Sequence, residues 1–164
     1  MKTLLILRHA KSSWDDSSLD DHERPLNERG ERDAPRMGTL VRKQRLLPDL
    51  VISSDATRAR TTAAAMAEAA GYTGETLLDA RLYHAGVGEI LAVLRSVPRA
   101  GANRVMIVGH NPGLEELVAR LTGQHEAFPT AALAQITLAI DQWSELDAST
   151  RGTLVGLWRP REQS

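Results

Sequence analysis

Three short segments of this chain combine nucleophilic or cationic side chains with turn residues: Arg8-His9-Ala10-Lys11-Ser12, Ser53-Ser54-Asp55 followed by Arg58, and Gly109-His110-Asn111-Pro112-Gly113. Guanidinium forks and helix N-termini both select anions, so a phosphate or carboxylate is the ligand such a set suits. Arg8 and Arg58 would neutralise a phosphate dianion and leave a histidine free to attack phosphorus. Taken singly, each residue has a plainer structural reading. Arg8 and Arg58 read as surface or helix charges, His9 as a satisfied strand-end histidine, His110 as a turn hydrogen bonder and Asn111 as a helix cap. Their joint position at the ends of predicted strands favours a site.

Other chemistries fit less well. His9 and His110 with Asp15 or Asp16 are conceivable metal ligands, but no His-Glu-x-x-His or comparable spacing supports a metal site, and none is expected. There is no Walker-type loop and no dinucleotide fingerprint, and Ser12, Ser13 and Ser53 lack the pattern of an esterase nucleophile.

The elements that must position these residues follow from local patterning. Thr3 to Leu7, Asp49 to Ser53 and Arg104 to Val108 are short apolar runs that read as buried strands. Lys11 to Arg24 is a polar loop. Asn27 is placed to cap a helix running to about Gln44, with Met37, Leu40 and Val41 on its buried stripe and a kink or late start expected at Pro35. Ser54 or Asp55 is expected to cap an Ala-rich helix from Thr57 to Ala70 that ends at Gly71. A short strand over Thr76 to Leu78, a helix from Val87 to Val97, and a helix opened by Asn111 and Pro112 and stopped near Gly123 complete the alternation. Gln135 to Ile140 and Thr153 to Trp158 read as a terminal antiparallel pair.

Strands alternating with helices predict a three-layer α/β/α sandwich with a mainly parallel central sheet, in one domain over residues 1–164. In such sheets the ligand crevice lies outside the carboxyl ends of the strands, where the three segments above fall.

Composition excludes several alternatives. The chain has 164 residues, 42% hydrophobic and 25% charged, enough to bury a core without a covalent staple. Cysteine is absent, which removes disulfides, thiolate metal sites and a cysteine nucleophile. Twenty Lys and Arg against 21 Asp and Glu give a net charge of -1, with no pull toward nucleic acid or an anionic membrane. Arg8, His9 and Lys11 cut short the apolar start, and no run approaches the roughly 18 apolar residues of a membrane span. A cytoplasmic protein is expected. With one Phe, three Trp and two Tyr, no aromatic anchor for a protein interface stands out, and no oligomeric state is assigned.

At these residues the sequence resembles the histidine phosphatase superfamily, also called the phosphoglycerate-mutase-like family. Arg8-His9-Ala10 resembles its Arg-His-Gly signature, with Ala for Gly. Ser54-Asp55-Ala56-Thr57-Arg58-Ala59-Arg60-Thr61-Thr62-Ala63 resembles its Ser-Pro-x-x-Arg-Ala-x-Gln-Thr-Ala motif. Gly109-His110-Asn111-Pro112 is similar to the motif of its second histidine, and Arg24-Pro25-Leu26-Asn27-Glu28-Arg29-Gly30 to the segment opening its first helix. The short chain and the Arg-His-Ala-Lys-Ser opening look most like SixA-type phosphohistidine phosphatases.

The resemblance implies a phosphoglycerate-mutase-like fold and a cofactor-free phosphatase with His9 as nucleophile. Arg8, Arg58 and His110 would hold the transferring phosphoryl group, with Ser12 and Asn111 as further substrate-binding residues. Larger relatives place an acidic proton donor, commonly Glu, in the stretch that resembles Ala80-Arg81-Leu82-Tyr83. Tyr83 stands there instead, leaving Asp15, Asp16 and His84 as candidate donors. A phosphoramidate tolerates that loss better than an ester, because its leaving nitrogen can already carry a proton. The implied partner is a protein bearing phosphohistidine; the alternatives are a small phosphomonoester substrate or a catalytically silent domain that binds phosphate or phosphoprotein.

Overall fold

The structure, a computed structural model, describes residues 1–99 and 101–162. Strands β1 (Lys2–Arg8), β2 (Leu50–Ser53), β3 (Thr76–Leu78), β4 (Arg104–Gly109), β5 (Leu133–Leu138) and β6 (Gly152–Trp158) form one sheet in the order β3-β2-β4-β1-β5-β6. The first four strands run parallel. β5 is antiparallel to β1, and β6 is antiparallel to β5.

Strand residues point alternately to opposite faces, so the apolar runs of β1 and β4 serve two cores at once. Leu4 and Ile6 join Val105 and Ile107 on the face covered by α3 (Val87–Arg95) and α4 (Gly113–Thr122). Leu5 and Leu7 join Met106 and Val108 on the face covered by α1 (Glu28–Lys43) and α2 (Thr57–Ala70). The expected three-layer sandwich is therefore present.

Local signals set most helix ends. Asn27 accepts a hydrogen bond from the Gly30 amide at 2.9 Å and caps α1, as expected. Gly71 closes α2 in the left-handed conformation, φ 75°, that glycine adopts without a Cβ penalty. Other expectations need correction. α1 starts at Glu28 and runs through Pro35 without a break, held by its buried stripe of Met37, Gly38 and Val41 against α2. Ala56, not Ser54 or Asp55, is the cap residue of α2, because both of those side chains are engaged elsewhere. α3 stops at Arg95, two residues short of Val97. α4 begins at Gly113 with Pro112 as its cap residue, although the Asn111 side chain still accepts from the Glu115 amide at 3.2 Å.

β1 and β4 are neighbours whose following helices cover opposite faces, so the chain diverges at their carboxyl ends and opens a crevice. Their register pairs Arg8 with Gly109, and the His9 amide donates to the Gly109 carbonyl at 3.0 Å. His9 and His110 thus leave the sheet side by side. Gly30 is required nearby: a Cβ there would lie 2.1 Å from the Lys11 carbonyl oxygen, so only glycine lets α1 pack this tightly behind the site.

Candidate active site

A cleft of about 340 Å³ lies over the ends of β1 and β4, with Arg8, His9, Ser12, Arg58, His110 and Asn111 in its wall. All six residues singled out from sequence are brought together. The His9 and His110 rings are 5.0 Å apart between centroids.

The tautomer of His9 is set by its neighbour. Nδ1 lies 2.8 Å from the Ala10 carbonyl, which can only accept, so Nδ1 carries the proton and Nε2 keeps its lone pair. Behind it, the Ala10 amide donates to Thr62 Oγ1, and that hydroxyl donates to the Arg58 carbonyl, tying the nucleophile loop to α2. Burial pushes the His9 pKa down to about 4, assisted by the Arg58, Arg8 and Arg24 charges and opposed by the bond to Ala10. His110 is lowered to about 3, by burial first and then by His9, Arg58 and His84, against the opposing charge of Asp21. Both rings are neutral near pH 7.

His110 Nε2 sits 2.8 Å from Ser54 Oγ, while Ser54 Oγ accepts from the Ala56 amide at 3.2 Å. A Ser54 hydroxyl that donates to Nε2 leaves the imidazole proton on Nδ1, and one that accepts from Nε2 leaves Nδ1 with its lone pair. That Nδ1 is buried with no partner, as are Arg8 Nε and Arg58 Nε. Buried polar atoms are rarely left unpaired, so three such nitrogens on residues of one cleft, two of them guanidinium donors, mark a place built for a ligand.

Sequence reasoning missed Asp21. It lies on a single 3₁₀ turn, Asp21–Glu23, and is the one carboxylate lining the cleft among the described residues. Its Oδ2 accepts from Tyr83 Oη at 2.6 Å and Arg58 Nη2 at 2.9 Å, and its Oδ1 from Arg24 Nε at 3.1 Å. Its backbone carbonyl also accepts from Arg58 Nη1 at 2.6 Å. The Tyr83 hydroxyl, followed by Arg58 and Arg24, holds its carboxyl well below the usual carboxylate range, so it is ionised. Burial and Asp21 raise the Tyr83 pKa, keeping that phenol protonated.

The other candidates fare differently. Asp15 and Asp16 do not line the cleft, whereas His84 does, with its ring 3.9 Å from that of Tyr83. Ser12 Oγ accepts from Arg24 Nη1 at 2.8 Å. Asn111 Nδ2 donates to the Phe128 carbonyl at 2.8 Å, which Arg8 Nη1 also reaches at 3.2 Å. Both side chains therefore brace the wall. Among the described residues no three His, Cys, Asp or Glu side chains are grouped to hold a metal ion, and no helix is long and apolar enough to cross a membrane.

Comparison with known proteins agrees with this geometry. Residues 4–92 match the model of the histidine phosphatase superfamily, branch 1. An uncharacterized chloroplastic protein of Arabidopsis thaliana is 34% identical over 152 residues, covering 88% of this chain and 70% of the relative. A chain from Nakamurella multipartitia, assigned as a SixA phosphohistidine phosphatase, superposes with a TM-score of 0.85 at 29% identity over 97% of this chain and 96% of that one. The protein histidine phosphatase SixA in complex with tungstate superposes with a TM-score of 0.83 at 25% identity over 99% of both chains. The family match spans more than half the sequence and the structural match nearly all of it: the chain belongs to branch 1 of the histidine phosphatase superfamily.

Proposed function

We propose that residues 1–164 act as one phosphatase domain that removes phosphate from protein phosphohistidine through a phosphorylated His9. The observation that carries this reading is the trio of buried, unpartnered nitrogens, Arg8 Nε, Arg58 Nε and His110 Nδ1, around a histidine whose free nitrogen is Nε2. A phosphoryl group seated there meets two guanidiniums, which stabilise the charge on its equatorial oxygens without a metal ion.

In the first step the His9 Nε2 lone pair forms the bond to phosphorus as the substrate P–N bond breaks. The leaving imidazole keeps the proton on its other nitrogen. In the second step water attacks phosphorus, the P–Nε2 bond breaks with His9 returning as the neutral imidazole protonated on Nδ1, and the water proton stays on an oxygen of the departing phosphate. Ionised Asp21, engaged by Tyr83, Arg58 and Arg24, has no proton to give a leaving alkoxide. The lack of a donor favours a phosphoramidate over an ester. Residues 71–103 between α2 and β4 contribute β3, a short turn and α3, with no inserted lid among the described residues. The structural likeness to SixA chains, named for phosphohistidine, supports the same substrate class.

The test is phosphate release from a phosphohistidine protein and from p-nitrophenyl phosphate, with wild type and His9→Ala compared without added metal. Preference for the phosphoprotein, lost in the variant, is expected. Preference for the ester would replace this reading with a small-molecule phosphomonoesterase. Phosphate binding without turnover of either substrate would leave a binding domain.

A further inference from the structure

Composition alone shows no aromatic anchor on the surface, but the fold supplies one. Trp14 is 72% exposed and lies on the wall of the catalytic cleft. The other two tryptophans do not present themselves this way: Trp143 is buried with its Nε1 donating to the Ala102 carbonyl, and Trp158 is packed against the α1–α2 core. Trp14 is the one large exposed hydrophobic side chain lining the cleft among the described residues.

Its position is built from beneath. The Arg24 guanidinium lies 3.5 Å from the centroid of the indole ring. Arg24 is buried and fixed by three acceptors: Ser12 Oγ at 2.8 Å, the Ser13 carbonyl at 3.1 Å and Asp21 Oδ1 at 3.1 Å. One face of the indole is thus held on a rigid cation, and the rest is left to solvent. A pre-positioned aromatic loses little freedom when a partner covers it, which is the property of an interface anchor.

We propose that Trp14 is the docking contact for the protein that presents the phosphohistidine to His9. The proposal rests on the phosphatase reading above and deepens it. A small phosphorylated molecule is accommodated by a cleft of about 340 Å³ and does not need its rim. A histidine side chain carried on a protein reaches the cleft only if the surrounding surface comes down onto that rim, where the exposed indole stands. Arg24 is a positioning residue in this scheme, linking the docking contact to the Asp21–Arg58 pair at the centre.

The experiment compares wild type, Trp14→Ala and Trp14→Phe on two substrates: a phosphohistidine protein and inorganic phosphoramidate, which has the same scissile P–N bond and no surface. Trp14→Ala is expected to lower kcat/KM for the phosphoprotein by roughly thirtyfold, chiefly through KM, with partial retention in Trp14→Phe. Phosphoramidate turnover is expected to stay within about twofold, which also reports that the variants are folded. An equal loss on both substrates would overturn the proposal and make Trp14 a support for the Arg24–Asp21 network. No loss on either would overturn it as well. A wild type that cleaves phosphoramidate but not the phosphoprotein would instead refute the substrate reading on which the proposal rests.

Discussion

Acidification from about pH 7 to about pH 4 protonates histidine in the unfolded chain long before it protonates His9 in the folded one. The reference pKa is 6.5, and burial beside Arg58, Arg8 and Arg24 lowers it to about 4. At about 1.36 kcal/mol per pH unit, that difference amounts to about 3 kcal/mol. The sign follows from proton binding: between 6.5 and about 4 the unfolded state binds the extra proton, so stability falls as pH falls through that window. Above 6.5 the contribution of the neutral ring is fully present, and below about 4 no further loss comes from this residue. Urea unfolding of wild type and His9→Asn at a series of pH values isolates the effect, because acidic groups common to both proteins cancel in the difference. Wild type is expected to lose about 3 kcal/mol more than His9→Asn between the two limits. The same displacement keeps the nucleophile neutral, so the acid limb of kcat/KM should fall near pH 4 instead of 6.5. Parallel stability curves for the two proteins, or an acid limb at the ordinary histidine value, would refute the desolvation argument.

Two further outcomes test the supporting residues. Ser54→Ala removes the hydroxyl that holds His110 Nε2 and should lower kcat/KM by roughly 10- to 100-fold, the usual cost of one buried hydrogen bond at a reacting group; steady-state kinetics on the phosphohistidine protein would show it. Asp21→Asn removes the charge that fixes the Arg58 guanidinium and should lower kcat/KM by roughly 10- to 100-fold, the usual cost of one hydrogen bond to a charged group; steady-state kinetics on the same substrate would show it, and unchanged turnover would remove Asp21 as the support of Arg58.

Much of the site is legible in the chain because its parts sit at the ends of strongly patterned elements. Arg8 and His9 close an unbroken apolar strand, His110 follows another, and Arg58 lies in the first turn of an Ala-rich helix bounded by Gly71. The parallel arrangement expected from alternating strands and helices is enough to bring those four residues to one edge. The less regular details were harder to read. The end of α3 and the start of α4 depend on local side-chain competition, and Ser54 and Asp55 do not serve as the cap residue of α2 because their side chains have partners 56 and 33 residues away.

The amino-acid sequence by itself determined the residue types available for chemistry, the two-faced apolar strands that place them and the family to which the chain belongs. Only the tertiary structure decided which nitrogen of each histidine is engaged, Nδ1 of His9 by the Ala10 carbonyl and Nε2 of His110 by the Ser54 hydroxyl. It also brought Asp21 to the cleft, against Arg58 37 positions away and Tyr83 62 positions away, from a polar loop with no periodicity to betray its direction. Trp14 belongs to the same loop, and whether an indole is core or surface is a matter of what packs over it. Hydrogen bonding and stacking between distant segments are properties of the folded chain, and local sequence carries no record of them until the sheet has set the segments side by side.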